Sequence, residues 1–89
     1  MKDLIETANI IHKIVDEMDG KLLPRTLTQV RSLLQHREYG VAFEMLVDCL
    51  YEDDVEIQPQ TFILFEQAAN RMKMTEEKWK FIKELVGNG

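Results

Sequence analysis

The sequence contains one cysteine, Cys49, so no disulfide can form within the chain and no second cysteine completes a metal-binding or redox pair. It contains no run of about 18 apolar residues, which argues against a membrane-spanning helix. The N-terminal region carries acidic residues within its apolar stretch, unlike a signal peptide. We therefore expect a cytoplasmic protein in which Cys49 is a small buried side chain.

Side chains that could carry catalysis are also scarce. The only histidines are His12 and His36, and the only serine is Ser32. All three lie in helical patterns without a partner that would make a nucleophile and base pair. The four glycines are scattered, so no phosphate-binding loop is present, and the acidic run after Tyr51 lacks the ligand spacing of a calcium loop. We predict a protein that is not an enzyme and needs no cofactor or metal.

The length and composition are those of one globular domain spanning residues 1–89. With 89 residues, 45% apolar and 30% charged, the chain can bury one modest core but not two. Its formal charge of −5 disfavours a phosphate backbone as the main partner, because nucleic-acid affinity depends on Lys and Arg neutralising phosphates. A basic protein surface is the better electrostatic match.

Apolar residues recur at spacings of three and four along most of the chain, which predicts helices. We predict an all-α fold, a compact bundle of about five short helices that are mostly antiparallel neighbours. Pro24 and Pro59 suit first helical turns, and Gly20 suits a helix end. The predicted helices span residues 3–19, 24–35, 39–51, 59–72 and a C-terminal segment that Thr75 caps.

The apolar stripes also predict which residues form the core. Gly40 is expected where helices approach closely or the chain turns sharply. Trp79 is expected to anchor the last helix in the core, on a face shared with Ile82 and Val86. The other predicted core residues are Leu4, Ile5, Ala8, Ile11, Ile14, Val15, Met18, Leu27, Val30, Leu33, Leu34, Ala42, Phe43, Leu46, Cys49, Leu50, Phe62, Phe65, Ala69, Met72 and Leu85.

The distribution of charge along the chain is the most unusual feature of the sequence. Residues 38–56 contain seven acidic residues and no Lys or Arg, whereas residues 21–37 contain four basic residues and no acid. Glu44, Asp48 and Glu52 are spaced by four, so they follow one ridge of the third helix, where like charges repel. An acidic concentration of this kind can steer a basic partner toward the surface.

We predict that the partner binds the outward side of the third helix and the loop that follows it. Composition alone also allows the simpler interpretation that the acidic run is a solvated face. Tyr51 could belong either to the core or to the interface. The predicted partner-binding residues are Glu44, Asp48, Tyr51, Glu52, Asp53, Asp54 and Glu56.

The segment from Glu38 to Glu52 resembles the MafI family of immunity proteins and the related CdiI-like proteins of contact-dependent growth inhibition. The resemblance lies in a pattern of Gly, then Ala-x-Glu-x-Leu, then Cys-Leu-Tyr-Glu. It extends more weakly through Pro59, Met72 and Trp79, and Phe43 stands where Leu is common. The matching positions are Gly40, Ala42, Glu44, Leu46, Cys49, Leu50, Tyr51 and Glu52.

The resemblance implies an all-helical inhibitor of a toxin delivered between bacteria, with an EndoU-type RNase as the associated toxin class. The expected partner is the C-terminal nuclease domain of that toxin, whose basic active-site cleft the acidic residues would mask. Two alternatives stay open. One is a helical nucleic-acid-binding regulator that uses Arg25, Arg31 and Arg37 to contact phosphates, and the other is a helical adaptor for an unspecified protein.

Overall fold

In the computed structural model, residues 2–87 are described, and their side chains from Ile5 onward. Four α-helices form the bundle, and two short 3-10 helices complete the described chain. No strand is present in residues 2–87, which contain only two isolated bridges. The predicted all-α bundle is confirmed. The helices are α1 (Lys2–Glu17), α2 (Pro24–Gln35), α3 (Tyr39–Glu52) and α4 (Pro59–Arg71), and the 3-10 helices are Glu76–Lys78 and Lys80–Leu85.

The core forms where the apolar stripes of the four helices meet. α1 packs most extensively against α4, and α2 packs against α3. Phe43 of α3 and Phe65 of α4 meet edge to face with ring centroids 5.5 Å apart, and both rings are fully buried. At one end of α1, the Thr61 hydroxyl donates a 2.6 Å hydrogen bond to the Glu17 carboxylate, which links α1 to α4.

The predicted fifth helix is wrong in type, because the C-terminal segment forms 3-10 turns. Trp79, Ile82 and Leu85 are all buried, and they are spaced by three residues. A 3-10 helix has three residues per turn and therefore places Ile82 and Leu85 on one side, and Trp79 lies between the two 3-10 helices. The Ile82 amide accordingly donates to the Trp79 carbonyl at 3.1 Å. Thr75 precedes the first 3-10 helix without a side-chain capping bond.

Several details of the predicted core need correction. Ile5 is 63% exposed, and Cys49 is half-buried at the edge of a groove along α3. A Cβ on Gly40 would lie 3.6 Å from the Met74 methyl group, an ordinary contact, so no close helix approach requires this glycine. Gly20 does occupy the left-handed region, at φ 85°, where the chain leaves α1. The side chain of Leu4 lies outside the described residues.

Candidate functional site: an acidic surface on α3 and the following loop

α3 separates the core from a line of carboxylates. Ala42, Phe43, Leu46, Val47 and Leu50 are buried, as the apolar spacing of a helix requires. Glu44, Asp48 and Glu52 follow one another one turn apart on the other side of the helix. Asp48 and Glu52 are exposed, whereas Glu44 is half-buried and lies outside the core cluster.

The carboxylates continue past the end of α3. We call the acidic surface the set Glu44, Asp48, Glu52, Asp53, Asp54 and Glu56. Among the described residues, none of these six side chains forms a hydrogen bond or an ion pair. Acidic residues elsewhere do find cations: Glu6 lies 2.8 Å from Arg71, and Glu76 lies 3.0 Å from Lys80. The acidic surface therefore presents its charge to solvent without internal compensation.

A groove beside the acidic surface is lined by aromatic rings. It has a volume of about 310 Å³ and is bounded by Asp48, Tyr51, Glu52 and Phe81. The rings of Tyr51 and Phe81 meet edge to face, with centroids 4.9 Å apart and an interplanar angle of 82°. Tyr51 is 47% exposed, so it belongs to the surface and not to the core. Phe81 comes from the second 3-10 helix, and the sequence analysis missed it.

A second groove lies along α3 and shares two carboxylates with the first. It has a volume of about 410 Å³ and combines acidic residues with half-buried or exposed apolar ones. Asp48 and Glu52 line both grooves and thus stand between them. Val41 and Met45 are contributors that the sequence analysis did not identify. The lining residues of this groove are Val41, Glu44, Met45, Asp48, Cys49 and Glu52.

The loop after α3, residues 53–58, is joined to the C-terminal segment by backbone hydrogen bonds. The Ile57 amide donates to the Leu85 carbonyl at 2.9 Å, and the Gly87 amide donates to the Ile57 carbonyl at 3.0 Å. This pairing brings Asp54 and Glu56 beside Glu84 in a third, polar depression. A Cβ on Gly87 would lie 2.6 Å from the Glu56 carboxylate, so a larger residue there would displace the exposed end of the Glu56 side chain. Glu84 thus adds one more carboxylate at the edge of the acidic surface.

Cys49 lies within this electrostatic environment. Partial burial raises the pKa of its thiol, and the neighbouring carboxylates Glu52, Asp53 and Asp48 raise it further. The thiolate is the reactive form of cysteine, so both effects reduce the reactivity of Cys49. The thiol is therefore poorly suited to act as a nucleophile.

The histidines do not form a catalytic arrangement. Both His12 and His36 are exposed. The His36 Nδ1 atom lies 2.8 Å from the Ser32 carbonyl oxygen, one turn earlier in α2. Among the described residues, no group of three or more His, Cys, Asp or Glu side chains could hold a metal ion.

The arginines expected for a nucleic-acid site do not share one helix face. Arg25 and Arg31 are six residues apart in α2, which places them about 120° apart around its axis. Arg31 lies 3.8 Å from Asp16 of α1, so part of its charge is compensated. Arg37 follows the helix with φ 60°. This arrangement does not favour a continuous phosphate-contacting surface.

Comparison with models of known protein families, with curated proteins and with solved structures finds no match for this chain. Within residues 2–87, no helix combines the length and apolar character needed to cross a bilayer.

Proposed function

We propose that this protein is an immunity protein that binds the C-terminal nuclease domain of a cognate bacterial toxin and masks the toxin's basic active-site cleft. The single observation that carries the proposal is the acidic surface, whose six carboxylates are uncompensated by any described residue. A nuclease cleft must be positively charged to hold phosphates, and these carboxylates match that charge.

The acidic charge also favours the fast association that such a function requires. An inhibitor of an intracellular toxin must bind before the toxin acts, and a concentrated acidic surface accelerates encounter with a basic partner. Tyr51 adds a half-exposed aromatic side chain at the centre of the charged region, and tyrosine is enriched among residues that dominate binding energy at interfaces. The surface thus combines long-range attraction with a short-range anchor.

The resemblance of residues 38–52 to MafI and CdiI-like immunity proteins narrows the proposal to an EndoU-type RNase as the toxin. A cytoplasmic location follows from this function, since the toxin would act on RNA inside the cell. The toxin would be the product of the adjacent gene, and its C-terminal domain is the probe for the binding experiments.

The test compares two double variants that change net charge equally. Asp48→Lys with Asp53→Lys reverses charge on the acidic surface, whereas Glu66→Lys with Glu77→Lys reverses two exposed acids outside it that have no ion pair with a described residue. We expect the first variant to bind the toxin domain with an on-rate reduced roughly tenfold or more and with a flatter salt dependence. The second should bind much like the parent.

Folding must be measured beside binding, because the argument requires the two to separate. Asp48 and Asp53 are exposed, so thermal melts of the first variant should resemble those of the parent, whereas half-buried Glu44 is a poor choice for reversal. RNA cleavage by the toxin and survival of toxin-expressing cells give the functional readouts. If the folded Asp48→Lys, Asp53→Lys variant binds and protects as well as the parent, the acidic surface is only a solvated face.

A further inference from the structure

We propose that the groove formed by Tyr51, Phe81, Asp48 and Glu52 is a binding site for an arginine side chain of the protein partner. This inference rests on the proposed function, because it names the kind of residue with which a basic partner would contact the acidic surface. It adds a defined position, a defined chemistry and a preference between arginine and lysine.

The first argument is the chemistry of the groove lining. It joins two aromatic rings to two carboxylates in a volume of about 310 Å³. An aromatic ring attracts a cation through its negative face, and a carboxylate attracts it through charge and hydrogen bonding. Neither feature alone would select a cation at one position, but the two together do so within a single groove.

The second argument is that the groove is organised before binding. The edge-to-face contact with Phe81, at a centroid separation of 4.9 Å, holds the Tyr51 ring although 47% of its surface is exposed. The helix fixes the spacing of Asp48 and Glu52, one turn apart, at the level of the backbone. A ring that is already ordered loses less conformational entropy when a ligand binds.

The third argument is that the polar atoms of the groove are available. Asp48, Glu52 and the Tyr51 hydroxyl form no hydrogen bond or ion pair with any residue from 5 to 87. A guanidinium group can stack on an aromatic ring and donate to carboxylates at the same time, because it is planar and carries five donors in a fixed arrangement. An ammonium group offers a compact, strongly hydrated charge and cannot stack, so arginine is favoured over lysine.

The experiment uses the isolated full chain and three capped tripeptides, acetyl-Gly-X-Gly-amide, in which X is arginine, lysine or citrulline. Citrulline keeps the shape of arginine but is neutral. Titrations are followed by NMR with isotope-labelled protein, and the aromatic signals of Tyr51 and Phe81 are the readout. We expect the arginine peptide to shift these signals at lower concentration than the lysine peptide, and the citrulline peptide to leave them unchanged.

Variants distinguish the contribution of the Tyr51 ring to binding from that of the Asp48 charge. Tyr51→Ala should weaken binding of the arginine peptide by about two- to fivefold, the range that an exposed cation–π contact supports. Tyr51→Phe should retain binding, since it keeps the ring, and Asp48→Asn should lose affinity by a similar factor. Glu66→Gln, on α4, is the matched control and should change nothing. If Tyr51→Ala fails to fold, Asp48→Asn and Tyr51→Phe still decide the question.

Several outcomes would overturn the inference. These are equal shifts with citrulline, no shift of Tyr51 and Phe81 up to the solubility limit of the peptide, or arginine-induced shifts confined to other carboxylates. Signals that change with protein concentration alone would indicate a second copy of the chain as the occupant and would also refute it. The toxin-binding proposal is judged separately by the Asp48→Lys, Asp53→Lys variant, so either idea can fail while the other stands.

Discussion

Asp54 provides a direct test of whether the acidic surface is kept for binding at the expense of stability. It lies just past the end of α3 with φ 50°, in the left-handed region that glycine usually occupies after a helix. The Val55 amide donates to the Leu50 carbonyl at 3.0 Å, a bond that closes the helix end and requires this conformation. Glycine at position 54 would keep the bond and remove the Cβ that disfavours it.

The gain in stability from Asp54→Gly is the difference between two opposing contributions to the free energy of unfolding. A Cβ in the left-handed conformation costs about 1–2 kcal/mol, and Asp lies at the low end of this range because its short polar side chain can hydrogen-bond locally, whereas glycine makes the unfolded chain more flexible, which offsets about 0.5–1 kcal/mol. From the backbone alone we therefore expect Asp54→Gly to raise the free energy of unfolding by up to about 0.5 kcal/mol, or the melting temperature by a few degrees in a domain of this size. Removing a negative charge from the negative end of the α3 dipole acts in the same direction.

The structure supplies two matched controls. Arg37 after α2 and Lys73 after α4 also have left-handed backbones, with φ 60° and 56°. Neither lines a groove beside the acidic surface. Arg37→Gly and Lys73→Gly should also stabilise the fold, because long side chains tolerate the left-handed region less well than Asp, although each loses a cation at a helix C-terminus. Both should leave toxin binding unchanged, whereas Asp54→Gly should weaken it.

The assay pairs urea denaturation, in which a shifted midpoint at constant slope reports stability, with binding to the toxin domain at several salt concentrations. Asp54→Asn removes the charge while keeping a side chain that tolerates this backbone, so it should bind weakly without the full gain in stability. A stabilised Asp54→Gly variant that binds like the parent would refute the role of Asp54 in recognition. An unstabilised variant would refute the argument from backbone strain.

Three further predictions concern the core and Cys49. Trp79→Ala should destabilise the fold by roughly 3–5 kcal/mol in a denaturation assay. Trp79→Phe should cost clearly less, because the buried indole N–H has no partner among residues 5–87 and its removal leaves no unsatisfied group. Equal losses of stability in the two variants would contradict the prediction. Cys49 should react with iodoacetamide more slowly than glutathione does at the same pH. Asp53→Asn should speed this reaction by lowering the raised pKa of the thiol, and toxin binding should slow it. Unchanged rates in all three comparisons would contradict the placement of Cys49 beside the acidic surface. Gly40→Ala should stabilise the protein by up to about 1 kcal/mol in urea, since the Met74 methyl group leaves room for a Cβ, and destabilisation would show a close approach that the structure lacks.

The sequence predicts the α-helices well because their signals are local. Pro24 begins α2, and the apolar spacing after it gives bounds that the structure confirms at both ends. The C-terminal segment fails for a definable reason. Trp79, Ile82 and Leu85 are spaced by three, and this period favours a 3-10 helix, but Val86 next to them also fits an α-helical stripe. Tertiary packing decides between the two patterns, and a single sequence does not contain it.

The same difference between local and tertiary signals decides which parts of the candidate site the sequence predicts. Charges close together in the sequence are visible there, so the acidic surface could be located from residues 44–56 alone. The aromatic groove could not, because Phe81 meets Tyr51 only through the packing of the second 3-10 helix on α3. The degree of burial at the edge of a helix face cannot be predicted from the sequence either. Helical spacing placed Glu44 outside the core and Cys49 inside it, whereas both are half-buried, since neighbouring elements determine how far the cover extends.

The strongest argument that the acidic surface serves binding is that the fold itself gains nothing from it. Glu44, Asp48 and Glu52 repel one another along α3, where a cation at any of these positions would stabilise the helix. Asp53 and Asp54 place negative charge at the negative end of the same helix, and Asp54 also occupies a left-handed position after the helix where glycine is the commonest residue. Each choice opposes the one that folding would favour, and all of these residues lie on α3 or directly after its end. The proposed function would account for these choices together, because the cations of a basic partner would convert the repulsion into attraction.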